Sequence, residues 1–276
     1  NSLLFLILDS AQPIGIFDSG MGGLTVAHAV KNLLPNEQII YFGDSAHLPY
    51  GDKSAATIQA YSVKICDVLL QQGCKVILIA CNSASAAAYE LVKAYVGSKA
   101  QVLNVIDPVV AYVAEKYNDD ANIGLIGTKQ TVGSGVYERK LKGENPEINF
   151  GALATPLLVP MIEEGFYKND ISEQIINQYL GREELGGIEA LILGCTHYPL
   201  IKKQVSAFFQ DKIEVIDSST IVAQALQNML QENDLLATER SGKNRFLVSD
   251  FTPSFQAAAE LFFQEEIKLE KHVLWE

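Results

Sequence analysis

"ALILGCTHYPLI", residues 190–201, is an apolar run that ends in a glycine and then sets a thiol, a hydroxyl and an imidazole side by side, just before a proline. The run Ala190–Leu193 shows no polar alternation. That is what a strand covered on both faces requires, and such strands belong to parallel sheets wrapped by helices. Ligands in these sheets sit at the carboxyl ends of the strands. Cys195, Thr196 and His197 fall at such an end. "ILIACNSASA", residues 77–86, repeats the grammar with Cys81, Asn82 and Ser83.

Working outward, "PIGIFD" (13–18) reads as a strand, followed by a glycine-rich turn and a helix with Val26, Val30, Leu33 and Leu34 on one face. "QIIYFGD" (38–44) is a second strand. Ser54 caps a helix whose apolar face is Ile58, Tyr61, Ile65 and Leu69, and Gly73 stops it. "KVILIA" (75–80) and "QVLNVID" (101–107) are further strands. Pro108 then opens a new helix and the pattern restarts. "NIGLIGT" (122–128) echoes "PIGIFDS" (13–19), and "EALILGCTH" (189–197) echoes "VILIACNS" (76–83). Gly15 precedes Cys81 by nearly the same stretch of chain as Gly124 precedes Cys195. After the strand "IEVID" (213–217) a helix begins at Ser219. The strand "RFLVS" (245–249) and a helix over 253–263 are too little to stand alone and return to the first unit.

The expected fold is therefore α/β: two pseudo-symmetric α/β domains, each with a mostly parallel central sheet flanked by helices, and the active site in the cleft between them. Residues 1–107 plus 219–276 form the first domain and carry Cys81. Residues 108–218 form the second and carry Cys195.

The chain has 276 residues, 48% of them hydrophobic and 20% charged, with a net charge of −12. That balance supports a packed core and argues against nucleic acid or an anionic membrane surface as partner. The four cysteines, at 66, 74, 81 and 195, form no CxxC and no zinc-ligand spacing with histidine. Their number at this size points to a reducing compartment, the cytoplasm. The apolar run Leu3–Leu8 is short for a signal peptide and no basic residue precedes it. It reads as an extra edge strand or an added or divergent leader.

Four polar clusters fall at strand ends: Asp18-Ser19-Gly20, Pro49-Tyr50-Gly51, Cys81-Asn82-Ser83 and Cys195-Thr196-His197. Pro199 fits the first position of a helix whose apolar face is Ile201, Val205 and Phe208, so both cysteines are expected at helix N-termini. The dipole there favours negative charge and lowers a thiol pKa. A cysteine after an apolar strand is more often a buried packing residue, and Cys66 and Cys74 are read that way. What separates Cys81 and Cys195 is that each is followed at once by polar groups, at equivalent places in two related units. His197 beside Cys195 is a candidate acid or base, whereas His28, His47 and His272 are read as surface or packing residues. "GMGG" (20–23) matches neither GxGxxG nor a Walker A loop and signals a tight turn near a small anion. Glu163 and Glu164 read as a helix end.

If the two units face each other, a small molecule between them has a thiol on each side. That suits removing a proton from one face of a carbon and adding one to the other. The developing charge needs preorganised donors, for which backbone N–H groups and the hydroxyls of Ser19, Ser83 and Thr196 are candidates. Asp18 beside Cys81, and His197 or Glu163 beside Cys195, can trade protons with the thiols. The residues alone leave two other classes open. One is a Cys/His hydrolase with Cys195 as nucleophile and Cys81 structural. The other is a two-lobed amino-acid binder without chemistry.

"PIGIFDSGMGGLTV" (13–26), "YFGDSAHLPYGDKS" (41–54), "ILIACNSASA" and "ALILGCTHYPLI" resemble, in order and spacing, the four signature stretches of the glutamate racemases within the aspartate/glutamate racemase family. The resemblance runs from about Pro13 over nearly the whole chain, and aspartate racemases are the nearest rival. It implies a cofactor-independent isomerase that interconverts L- and D-glutamate in the bacterial cytoplasm for peptidoglycan synthesis. It implies glutamate as a small-molecule substrate, no metal, no nucleic-acid or membrane partner, and a family that commonly forms homodimers. Carried over by motif, the catalytic set is Cys81 and Cys195 with Asp18, His197 and Glu163. The substrate-binding set is Asp18, Ser19, Tyr50, Gly51, Asn82, Ser83, Thr196 and His197. Ser83 departs from the usual threonine; it keeps the hydroxyl and loses a methyl.

Overall fold

Two separate sheets, each wholly parallel, organise the computed structural model, which describes residues 8–250 and 252–275. Apart from Leu8, the expected strand or leader over Leu3–Leu8 lies outside the described residues. The strands are β1 (Ile14–Asp18), β2 (Ile39–Gly43), β3 (Val76–Ile79), β4 (Gln101–Asn104), β5 (Asn122–Gly127), β6 (Asn149–Ala154), β7 (Ala190–Gly194), β8 (Glu214–Ile216), β9 (Arg245–Val248) and β10 (Leu269–Lys271). One sheet runs β10-β9-β2-β1-β3-β4 and the other β6-β5-β7-β8. Within them the orders 2-1-3-4 and 6-5-7-8 are the same topology used twice. The echo between "PIGIFDS" and "NIGLIGT" is thus an echo between the two strands, β1 and β5, at which the strand order reverses. Ligands bind at that reversal in parallel sheets.

The helices are α1 (Leu24–Leu33), α2 (Ala55–Gln71), α3 (Asn82–Val96), α4 (Ile106–Lys116), α5 (Lys129–Gly133), α6 (Val136–Glu144), α7 (Leu158–Glu163), α8 (Asp170–Leu180), α9 (Lys202–Phe208), α10 (Ser218–Glu232) and α11 (Pro253–Phe263). None is long and apolar enough to cross a membrane. Successive strand residues point to opposite faces, and β3 divides accordingly. Val76 and Leu78 join one apolar cluster. Ile77 and Ile79 join another with Ile58, Ile65 and Leu69 of α2 and Ala88 and Val92 of α3. The first cluster does not stop at the edge of a sheet. It continues from Val26 and Val30 of α1 through Val222 and Leu226 of α10 to Leu191 and Leu193 of β7, so one apolar core spans both halves.

Local signals set most boundaries. Ser54 caps α2 by accepting from the Thr57 N–H, and Gly73 follows that helix with φ +75°, which glycine adopts without strain. Three expectations are corrected. The strand "QVLNVID" ends at Asn104, and α4 begins at Ile106 rather than Pro108. The cause is Asn104, whose Oδ1 accepts from the N–H groups of Ile106 and Asp107 and starts the helix early. Pro108 still falls within the first turn, where its missing N–H costs nothing. Asp217 caps α10 in the same manner, so that helix starts at Ser218 rather than Ser219. The short edge strand β10, over Leu269–Lys271, carries no apolar alternation and was not foreseen.

At the amino ends of the strands, Lys75 and Glu37 are both buried, with Nζ 2.7 Å from Oε2. The ammonium also donates to the carbonyls of Ser10 and Leu235, and the carboxylate accepts from the Ala237 N–H. The pair ties the start of the described chain and the segment after α10 to the first sheet. Removing one partner leaves a buried charge uncompensated. Lys75→Met is therefore expected to lower unfolding stability by about 3–5 kcal/mol in urea titration. A loss below about 1 kcal/mol would mean that the pair is solvated and structurally idle.

Candidate active site

The carboxyl ends of β1, β3, β5 and β7 enclose a cavity of about 260 Å³. Ser19, Tyr50, Gly51, Cys81, Asn82, Ser83, Glu163, Cys195, Thr196 and His197 all line it. Of the residues in the catalytic and substrate-binding sets, Asp18 alone stands behind the wall. It is fully buried, its Oδ2 accepting from the Gly20 N–H at 3.0 Å and its Oδ1 from the Thr196 hydroxyl at 3.4 Å.

Cys81 caps α3, and the Ala84 N–H donates to its sulfur at 3.4 Å. Its Sγ lies 3.8 Å from the Ser19 hydroxyl. The expectation of a lowered pKa is corrected here. Burial, and next the negative charge of Asp18, push the Cys81 thiol up to about 12. The hydrogen bonds from Ala84 and Ser19 offset only part of that. Desolvation of an anion outweighs a helix end. Cys81 therefore favours its protonated form at neutral pH.

Cys195 has a different setting. No α-helix begins beside it, contrary to expectation. His197 precedes a 3-10 turn over Tyr198–Ile201, with Pro199 at its second position, and α9 starts only at Lys202. The turn instead brings imidazole to thiol, with Nδ1 of His197 3.6 Å from the Cys195 sulfur. On its other side Nε2 lies 2.9 Å from Oε1 of Glu163, at the end of α7. The ring is buried and packs edge-on against Phe262 at 5.1 Å. Burial lowers the pKa of His197, but the hydrogen bond to Cys195 and its charge, followed by those of Glu163, outweigh it and raise the value to about 10. With those neighbouring groups charged, the imidazole is thus favoured as a cation. Glu164 is exposed, so Glu163 is the member of the adjacent pair that meets the histidine.

The two halves meet closely around these groups. The Gly22 α-carbon lies where an added methyl would sit 2.4 Å from Nδ1 of His197 and Oγ1 of Thr196. "GMGG" is therefore a turn that lets backbone press against the opposite half, held by the Tyr41 hydroxyl on the Gly20 carbonyl at 2.8 Å. The Thr25 hydroxyl reaches the Thr196 carbonyl at 3.2 Å. Ser83 and Thr128 hydroxyls lie 2.9 Å apart, and the Tyr137 hydroxyl donates to Oδ1 of Asn82 at 2.7 Å. Asp52 and Lys129, both exposed, form an ion pair across the rim at 3.1 Å.

Tyr50 turns its hydroxyl away from the cavity to donate to Asp44 at 2.6 Å. What Tyr50 and Gly51 offer is the first turn of a short 3-10 helix, Tyr50–Asp52, whose N–H groups have no partner within it. Asn82 and Ser83 offer the same at the start of α3. Such N–H groups bind carboxylates without a basic residue. Thr128 and Thr155 also line the cavity and were missed in the sequence. The repeat held the signal for Thr128: aligning Gly15 with Gly124 places it opposite Ser19. Among the described residues, no group of three or more His, Cys, Asp or Glu side chains is placed to hold a metal ion. The arrangement offers two thiols, anion-binding N–H groups and one imidazolium to a small acidic molecule.

Comparison with known proteins agrees with this chemistry. The family described as Asp/Glu/Hydantoin racemase matches residues 24–226. A glutamate racemase of Aquifex pyrophilus is 41% identical over 240 residues, covering 85% of this chain and 92% of its own. One from Neisseria meningitidis serogroup C is 39% identical over 253 residues, covering 91% and 92%. The crystal structure of glutamate racemase from Francisella tularensis in complex with D-glutamate superposes with a TM-score of 0.90 at 39% identity, covering 96% of this chain and 98% of that one. The chain belongs to the Asp/Glu/hydantoin racemase family, on its glutamate racemase branch, and is an amino-acid racemase.

Proposed function

We propose that this protein interconverts L- and D-glutamate by passing a proton between Cys81 and Cys195 across the α-carbon, without a cofactor. The observation that carries the reading is that two cysteines, each following the equivalent strand of a separate sheet, line one small cavity. In each turnover one sulfur, as thiolate, takes the α-proton, and the carbanion takes a proton from the opposite thiol. The roles exchange with the handedness of the substrate. The α-carboxylate carries the developing charge, and the first-turn N–H groups of α3 and of Tyr50–Asp52 are suited to stabilise it. The hydroxyls of Ser19, Ser83 and Thr196 are suited to the other acceptor oxygens.

His197 supports Cys195 by sharing a proton with it, and Glu163 supports His197. Asp18 acts on Cys81 through its charge and holds Gly20 and Thr196 in place. Residues 1–107 with 219–276, and 108–218, serve as the two working halves; the membership of the two sheets supports this division. The product would supply peptidoglycan synthesis in the cytoplasm.

Circular dichroism of L- and D-glutamate solutions tests the assignment. Turnover of glutamate should exceed that of aspartate, and a clear preference for aspartate would refute the substrate. Cys81→Ala and Cys195→Ala should each abolish racemisation with the fold intact. Retained activity in Cys81→Ala would favour a reaction run by Cys195 alone. The pH profile tests the role of Glu163. His197 has a raised pKa, so its charged form persists at neutral pH and is lost as pH rises through about 10. Glu163→Gln removes one of the raising causes and should move the alkaline limb of kcat/KM down by about one pH unit. An unmoved limb would disconnect the Glu163–His197 pair from the chemistry.

A further inference from the structure

The side-chain amide of Asn82 has two ends with different fates. Its Oδ1 accepts a 2.7 Å hydrogen bond from the Tyr137 hydroxyl. Its Nδ2 is buried and has no partner. The residue is 2% exposed and lines the cavity. A buried amide donor without an acceptor is costly, and in a folded protein it asks for an explanation. A ligand that brings its own acceptor provides one.

An asparagine can exchange its oxygen and nitrogen by turning about the Cβ–Cγ bond, so something must decide which end is free. Tyr137 makes that decision. Its ring is fully buried, and burial keeps the phenol protonated far above neutral pH. A buried hydroxyl must place its proton on an acceptor, and among the described residues Oδ1 of Asn82 is the one it reaches. If the amide turned, Tyr137 would face Nδ2, its own proton would have nowhere to go, and a carbonyl oxygen would become the unpartnered end. Tyr137 lies on α6, beside the four-stranded sheet, whereas Asn82 opens α3 beside the six-stranded one. The amide is therefore set only when the two halves are docked.

We propose that Tyr137 is a positioning residue that holds the Asn82 amide with Nδ2 free to donate to a carboxylate oxygen of the bound amino acid. This rests on the racemase reading above and adds a residue outside the four signature stretches. Tyr137 touches no reacting atom; it acts through Asn82.

A double-mutant cycle separates this role from packing. Tyr137→Phe, which keeps the ring, should lower kcat/KM for either enantiomer of glutamate about 10-fold, mostly through KM, and Asn82→Ala should lower it further. In the Asn82→Ala background, Tyr137→Phe should change kcat/KM less than about 2-fold, because the group it positions is gone. An equal loss in both backgrounds, or no loss in the single variant, overturns the proposal. Tyr137→Met provides a second hydroxyl-free filling if the phenylalanine variant folds poorly. The same cycle is read by calorimetric binding of D-glutamate. Absent turnover in the unmodified enzyme would sink the racemase reading, while the binding cycle would still decide the role of Tyr137.

Discussion

Backbone at Gly22 presses against Thr196 and His197 so tightly that no side chain fits between them. This contact between halves is what the rest of the site depends on. It lets the buried carboxylate of Asp18 reach the Thr196 hydroxyl and the Thr25 hydroxyl reach the Thr196 carbonyl. It closes the space at the strand ends to about 260 Å³, small enough for both thiols to meet one ligand. A continuous apolar core through α1 and α10 supports it from behind. The cavity is thus enclosed by the strand ends of two parallel sheets and the segments that follow them.

The same enclosure sets the electrostatics. Removing the sulfur of Cys81 from water, beside a carboxylate, makes its thiolate costly, and the proton stays. Cys195 sits beside a cation instead, since Glu163 on one side and the sulfur on the other hold His197 charged. Two cysteines to which the proposed reaction gives symmetric parts are thus set among unlike neighbours. A bound amino acid, with an ammonium and two carboxylates in the same dry space, changes the field on both. Under the proposed function the acidic chain, at −12 overall, meets its acidic ligand through local groups: first-turn N–H groups and hydroxyls at the strand ends.

Much of this was legible in the sequence because parallel strands covered on both faces read as unbroken apolar runs. Ile77–Ile79 and Ala190–Leu193 name their strands without help, and their matching tails place Cys81 and Cys195 at equivalent points. What escaped depended on context that a linear pattern does not carry. Asn104 acts as a helix cap only because its side chain turns back on Ile106 and Asp107. The peptide after Cys195 tightens into a 3-10 turn, which "CTHYPLI" does not distinguish from an α-helix. The direction of the Cys81 pKa is decided by burial between two halves of the chain, not by the helix it caps. Tyr137 lies far from every motif and meets Asn82 only across the interface.

The central claim is that opposed sulfurs deliver and remove the α-proton from opposite faces of one bound glutamate. Partial racemisation of L-glutamate in heavy water, stopped early and analysed by chiral separation and mass spectrometry, tests it most directly. Transfer between two separate bases predicts deuterium at the α-carbon of nearly all the D-glutamate formed and little in the L-glutamate that remains. Comparable early labelling of both enantiomers would indicate a single base exchanging with solvent, and unlabelled product a single base returning its own proton; either would contradict the account.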